Sequence, residues 1–525
     1  MKKIAFLPLS AFVLLFPQMA FAQNQAPKVS NTNAVVDWGA QVINITYDVA
    51  DAESDPLEIT FKVSNDSGKT FFYSTAITTG DVGYPITAGT GKSIVWDYND
   101  TVKNFSNYVF LIEANDRQTV NIQDLVNQVD SGRLYDNVTF MEGLRHRNTG
   151  AANLQNTRDS LYQRFNRYEM LPWIQRFSFG VDYGENIIGK LPGMVNEDTV
   201  YIIDAHYDGV AGGPAADDNA SGTAGVLETA RILSQYSFEK SICFIGFDLE
   251  EAGLRGSIAY VTSAIHPQEY IDGVLNFEMI GYYSDRPNSQ TAPPGFNLLF
   301  PTAYAQLQAD TFKGNFITSV GNTSSNGLNA SFKNNAQLYV PQLKVIDLSV
   351  PGTGTIAPDF RRSDHAPFWD TNRKALMITD GANFRNNNYH TTNDVKDSLD
   401  FAFMTNVVKA SIATAAALAV PRHSDVEIFQ ASNPISITEH IWDCNAFASY
   451  QKDSNSLALK FEGCETNTFS YALINEAGKT IAEGKNLKAS SEIEIGLGQK
   501  LATGIYILQL RNENGHSLTK KLLVE

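Results

Sequence analysis

At 525 residues the chain is too long for one ordinary hydrophobic core, so two or three domains are expected. Its composition, 43% hydrophobic and 18% charged, is that of a globular protein, with no low-complexity block. The formal charge of −17 argues against a nucleic-acid partner, which needs a basic face.

In chain order, Lys2 and Lys3 precede the apolar run Ile4 to Phe16, and Ala20-Phe21-Ala22 supplies the small residues that a signal peptidase accepts. Residues 1–22 therefore read as a secretory signal peptide, the run being short for a membrane span. No later stretch reads as a transmembrane helix. The mature protein is expected to be exported through the periplasm to the medium or the cell surface, without stable membrane insertion.

Residues 26–117 read as all-β. VINITYDVAD, LEITFKVSND, KSIVWDYND and NYVFLIEAND alternate or run apolar over strand lengths, with Asn65-Asp66-Ser67-Gly68 as turn chemistry. A small β-sandwich of immunoglobulin or fibronectin type is expected. Residues 118–422 change to alternating helices and strands. Ala151 to Tyr168, Thr223 to Tyr236 and Ser398 to Leu418 have helical spacing, and YIIDAHYD, SICFIGFD, GVLNFEMI and KALMITDGAN read as buried strands. This predicts a doubly wound α/β domain with a mixed, mostly parallel sheet. Residues 426–525 return to short strands and predict a second small β-sandwich. Cys243 lies in a buried strand; Cys444 and Cys464 share one segment and in an exported protein are either paired or free.

The chemistry concentrates at strand ends, where open α/β sheets place ligands. His206 and Asp208 are two apart at the end of an apolar run and share a face, so Asp208 can orient the imidazole. Asp217 and Asp218 lie in a small-residue loop ahead of a helix and suit either an N-cap or a metal site. Glu250 and Glu251 end a second buried strand, where two carboxylates are costly without a counter-charge such as a divalent cation.

HYDG, PAADDNASGTAGVLETAR, GFDLEEAGLRGS, NFEMIGY, RRSDHAPFW and NYHTTND occur in the order found in the co-catalytic dizinc peptidases of metallopeptidase family twenty-eight, which the chain resembles between about Thr119 and Val420. The resemblance implies a phosphorylase/hydrolase-like fold and two Zn²⁺ per chain. His206 and Glu278 would hold one zinc, Glu251 and His390 the other, and Asp218 would bridge them and begin a cis peptide. Glu278 stands where many members have Asp. Glu250 would be the general base acting on a metal-bridging water, and Tyr389 an oxyanion donor; Asp208 would orient His206. His365 is the rival ligand, or a substrate-pocket residue. The implied activity is a secreted aminopeptidase acting on peptide or protein N-termini. The alternatives are a glutaminyl cyclase-type acyl transferase, a carboxypeptidase on the same fold, and a catalytically silent binding module. The run LATGIYILQLRNENGHSLTKKLLVE resembles C-terminal sorting domains of the type IX secretion system, which implies the secretion machinery as a partner.

Overall fold

In a computed structural model the described residues are 24–98, 104–433, 445–462, 468–475, 479–488, 492–512 and 517–524. The expected signal peptide, Cys444 and Cys464 lie outside them; Cys243 is a buried free thiol.

Six strands carry the α/β region: β1 (Gly193–His206), β2 (Ser237–Phe247), β3 (Tyr270–Phe277), β4 (Ile317–Asn322), β5 (Val345–Val350) and β6 (Ala375–Thr379). Their order is β5-β4-β6-β3-β1-β2. β1 runs parallel to β2 and β3, β3 parallel to β6, and β4 parallel to β5, while β4 and β6 are antiparallel. The sheet is therefore mixed and mostly parallel, as the buried apolar runs predict. β4, β5 and the helix between them occupy a region, Tyr282 to Asp364, that the sequence analysis leaves without elements. At six residues each, ITSVGN and VIDLSV are too short for period to reveal them.

Seven helices matter here: α1 (Ser131–Met141), α2 (Ala151–Arg167), α3 (Gly222–Leu233), α4 (Arg255–Ser263), α5 (Asn326–Tyr339), α6 (His365–Asp370) and α7 (Phe401–Ala419). Leu134, Phe165, Leu227, Phe332 and Val407 place α1, α2, α3, α5 and α7 in one core on one face. Tyr260, Phe368 and Trp369 place α4 and α6 in the core on the other. Capping follows sequence: Asp130 accepts from the Gly132 and Arg133 amides, and Asp400 from those of Ala402 and Phe403. α7 has 19 residues and is apolar enough to cross a membrane, but it is mostly buried in this core.

The N-terminal β region differs from the expected separate module. One sheet is its own, with strands Lys28–Asp37, Val42–Ala50, Gly89–Asp97 and Thr78–Gly80. Its other strands continue the main sheet: Pro421–Phe429 pairs with the start of β2, then with Val109–Thr119, which pairs with Leu57–Ser64. Trp96 on one layer meets Phe61 and Phe110 on the other at ring separations of 6.3 and 6.4 Å, so the sandwich exists but shares a sheet. The division expected near 117 and 422 thus falls within shared β structure, and one compact unit runs to Ser432 apart from two short segments. The second unit holds a three-stranded and a four-stranded antiparallel sheet around Leu457, Leu459, Leu473, Leu508 and Leu510.

Candidate metal centre

Register brings the strand ends together. His206 ends β1 opposite Phe247, the last residue of β2, and the parallel β3 ends at Phe277. Glu250 and Glu251 therefore follow β2, and Glu278 follows β3, onto the rim that carries His206. Asp218 comes from the loop before α3, and His390 from the loop after β6 in left-handed backbone at φ 58°. The Asp218–Asn219 peptide is cis.

The five expected ligands form two groups that share Asp218: His206, Asp218 and Glu278, and Asp218, Glu251 and His390. Asp218 Oδ1 lies 3.4 Å from His206 Nε2, and its Oδ2 lies 2.9 Å from His390 Nε2. Glu278 Oε2 is 3.4 Å from His206 Nε2, and Glu251 Oε2 is 3.4 Å from His390 Nε2. Each carboxylate oxygen of Asp218 thus addresses a different imidazole. Glu250 approaches from the side, 3.9 Å from His206 Nε2. Asp208 faces the other ring nitrogen, Nδ1, at 3.3 Å. It also accepts the Glu250 and Glu251 amides at 3.1 and 3.2 Å, a second task that its spacing does not reveal.

The donor set fits zinc. Both His206 ring nitrogens and Glu251 Oε1 are buried and make no hydrogen bond among the described residues. Imidazole nitrogen and carboxylate oxygen are zinc's ordinary donors. Asp208, Asp218, Glu278 and Asp364 are all buried around the same imidazoles, a charge density that a divalent cation offsets. Burial pushes Glu250 well above the usual carboxylate range and Glu251 up to about 7. Burial also opposes ionisation of Asp218, but the two imidazoles beside it, His206 and His390, outweigh it and hold this carboxyl low.

Several supports went unread in the sequence. Asp394, inside NYHTTND, accepts the amides of Asp217 and Asp218 at 2.9 and 3.1 Å and so holds the bridging loop. Asp217 is no N-cap: its buried carboxylate accepts from the Gly281 amide at 3.0 Å and Asn386 Nδ2 at 2.8 Å. Ser363, one residue before the Asp-His of RRSDH, donates to Glu278 Oε2 at 2.7 Å. The fully buried Arg145 ties the rim through the Tyr207 and Ala215 carbonyls at 2.9 and 2.7 Å. His365 stands apart from both ligand groups. Its Nε2 donates to the Phe360 carbonyl at 2.9 Å, and its ring lies edge-on to Trp369 at 4.4 Å.

Tyr389 stacks on His390 with ring centroids 3.7 Å apart, and its oxygen accepts from Arg362 Nη2 at 2.8 Å. Both Tyr389 and Glu278 border a largely apolar cavity of about 730 Å³ including its mouth, with Phe296, Leu348, Phe360 and Met377 in its walls.

Residues 186–415 match the profile of "Peptidase family M28". Over these residues the chain is similar to that family. Residues 453–525 match a "Secretion system C-terminal sorting domain". The chain is 34% identical over 226 residues to the uncharacterized protein YfbL of Escherichia coli, covering 40% of this chain and 64% of that one. It is 46% identical over 100 residues to the aminopeptidase YwaD of Bacillus subtilis, covering 18% and 22%. The chain thus spans less than two thirds of the length of these relatives. Among solved structures it is similar to the LapA aminopeptidase of Legionella pneumophila, with a TM-score of 0.44 and 20% identity over 58% of this chain and 75% of that one.

Proposed function

We propose that the protein is an exported zinc aminopeptidase whose site holds two metal ions. The observation that carries this reading is the two-sided Asp218 carboxylate, with His206 at one oxygen, His390 at the other, and Glu278 and Glu251 beside those imidazoles. His206, Asp218 and Glu278 would hold one zinc, and Asp218, Glu251 and His390 the second. Bound there, the pair would supply Lewis-acid chemistry, acidifying water and polarising the scissile carbonyl.

The remaining work falls to side chains. Glu250, acting as the carboxylate, takes the proton of the attacking water and hands it to the departing amine. Asp208 fixes Glu250 and Glu251 by their amides, so base and ligand keep one spacing. Arg362 donates to the Tyr389 oxygen, which leaves the phenolic hydrogen free to meet the developing oxyanion. The apolar cavity beside Glu278 and Tyr389 takes the side chain of the substrate's first residue. The C-terminal sorting domain fits delivery to the cell surface or medium.

Hydrolysis of leucyl-p-nitroanilide, abolished by a chelator and restored by zinc, is the expected result. Indifference to the chelator, or cyclisation of a glutaminyl peptide in place of hydrolysis, would overturn the reading.

A further inference from the structure

A polar cavity of about 900 Å³ including its mouth opens where α1, α2 and α3 meet, towards the end of α3 remote from the Asp218 loop. Arg133 from α1, Arg164 and Arg167 from α2, and Arg231 from α3 all border it. Arg231 is neutralised by Glu228, at 2.8 Å from Nε and 2.7 Å from Nη2. The other three make no ion pair among the described residues. Arg164 bonds only neutral groups, Ser160 Oγ at 3.1 Å and the Asn137 side-chain oxygen. With the Arg231–Glu228 pair set aside, three guanidiniums face one bordering carboxylate, Asp136. The Tyr168 hydroxyl, raised by burial, feels Arg164, Arg231 and Arg133 as opposing charges, so these side chains converge on one place.

With 57 Asp and Glu against 40 Lys and Arg, carboxylates are in excess, and Arg117, Arg147, Arg158, Arg176 and Arg422 each have one. Self-repelling guanidiniums left together around a concavity call for an anion from outside. Their planar forks suit an oxyanion with several acceptor oxygens better than a halide.

We propose that this cavity is an oxyanion-binding site for a phosphate or sulfate group, held by Arg133, Arg164 and Arg167 and separate from the metal centre. The group could arrive free in solution or as an ester on an anionic polysaccharide.

The test is calorimetric titration of the full-length protein with inorganic phosphate and with a sulfated oligosaccharide, at an ionic strength held constant with sodium chloride. Wild type is compared with Arg164→Gln/Arg167→Gln and with Arg167→Gln alone, which alters an exposed side chain that makes no side-chain hydrogen bond or ion pair among the described residues and should fold normally. Saturable binding to wild type that weakens at least tenfold in the double variant supports the site, with leucyl-p-nitroanilide hydrolysis unchanged. A response to phosphate assigns a free oxyanion, and a response to the oligosaccharide alone assigns the polymer-borne ester. Equal binding by wild type and both variants, or no saturable binding of either probe, overturns the proposal.

Discussion

Asp394 offers a sharp test of how the bridging loop is held. Its carboxylate is buried and accepts two backbone amides, those of Asp217 at 2.9 Å and Asp218 at 3.1 Å. Asp394→Ala removes both acceptors from a place water does not reach. Each orphaned buried N–H costs about 1–3 kcal/mol, so the variant should lose roughly 2–6 kcal/mol of stability. The same change frees Asp218 from its register with the imidazoles, and loss of such outer support typically lowers metal affinity about 10–100-fold. Asp394→Asn keeps the volume and one acceptor, and should fall between the two. Denaturant unfolding of the metal-free protein and zinc competition against a chelator measure the two effects separately. Wild-type stability together with wild-type zinc affinity in Asp394→Ala would refute the reasoning.

Three further outcomes are expected. Burial lowers the pKa of His365 from its ordinary value to about 4, so the folded state binds fewer protons than the unfolded one between about 6.5 and 4. Its contribution is complete above about pH 6.5 and is lost as pH falls towards 4, up to roughly 3 kcal/mol; His365→Gln should flatten that part of a pH series of denaturant midpoints. Tyr389→Phe should lower kcat by about 10²-fold with little change in KM, measured on leucyl-p-nitroanilide. The apolar cavity should favour leucyl over alanyl substrates roughly fiftyfold in kcat/KM, from about 0.8 kcal/mol per additional buried carbon group; a preference for lysyl substrates would contradict its assignment.

Much of the candidate metal centre was legible because its expected ligands sit in short local patterns. His206 and Asp208 are two apart at a strand end, and the Glu250-Glu251 pair follows another buried run. Their supports were less legible because they come from far along the chain. Asp394 lies 177 residues from the amide of Asp217, and nothing local to either residue announces the bond. Arg145 bonds carbonyl oxygens, which leave no mark in side-chain sequence. The β character of both ends was visible in alternation, but the shared sheet was not. It depends on Pro421–Phe429, whose residues are all partly exposed and so carry no alternating signal.

In the proposed mechanism Glu250 moves the proton while its neighbour Glu251 helps to hold metal. The direct measurement is zinc content and leucyl-p-nitroanilide turnover of Glu250→Gln beside the parent protein. Two zinc ions per chain are expected in both proteins, with a kcat about 10²–10⁴-fold lower in the variant. Parental turnover by the zinc-loaded variant would contradict this mechanism.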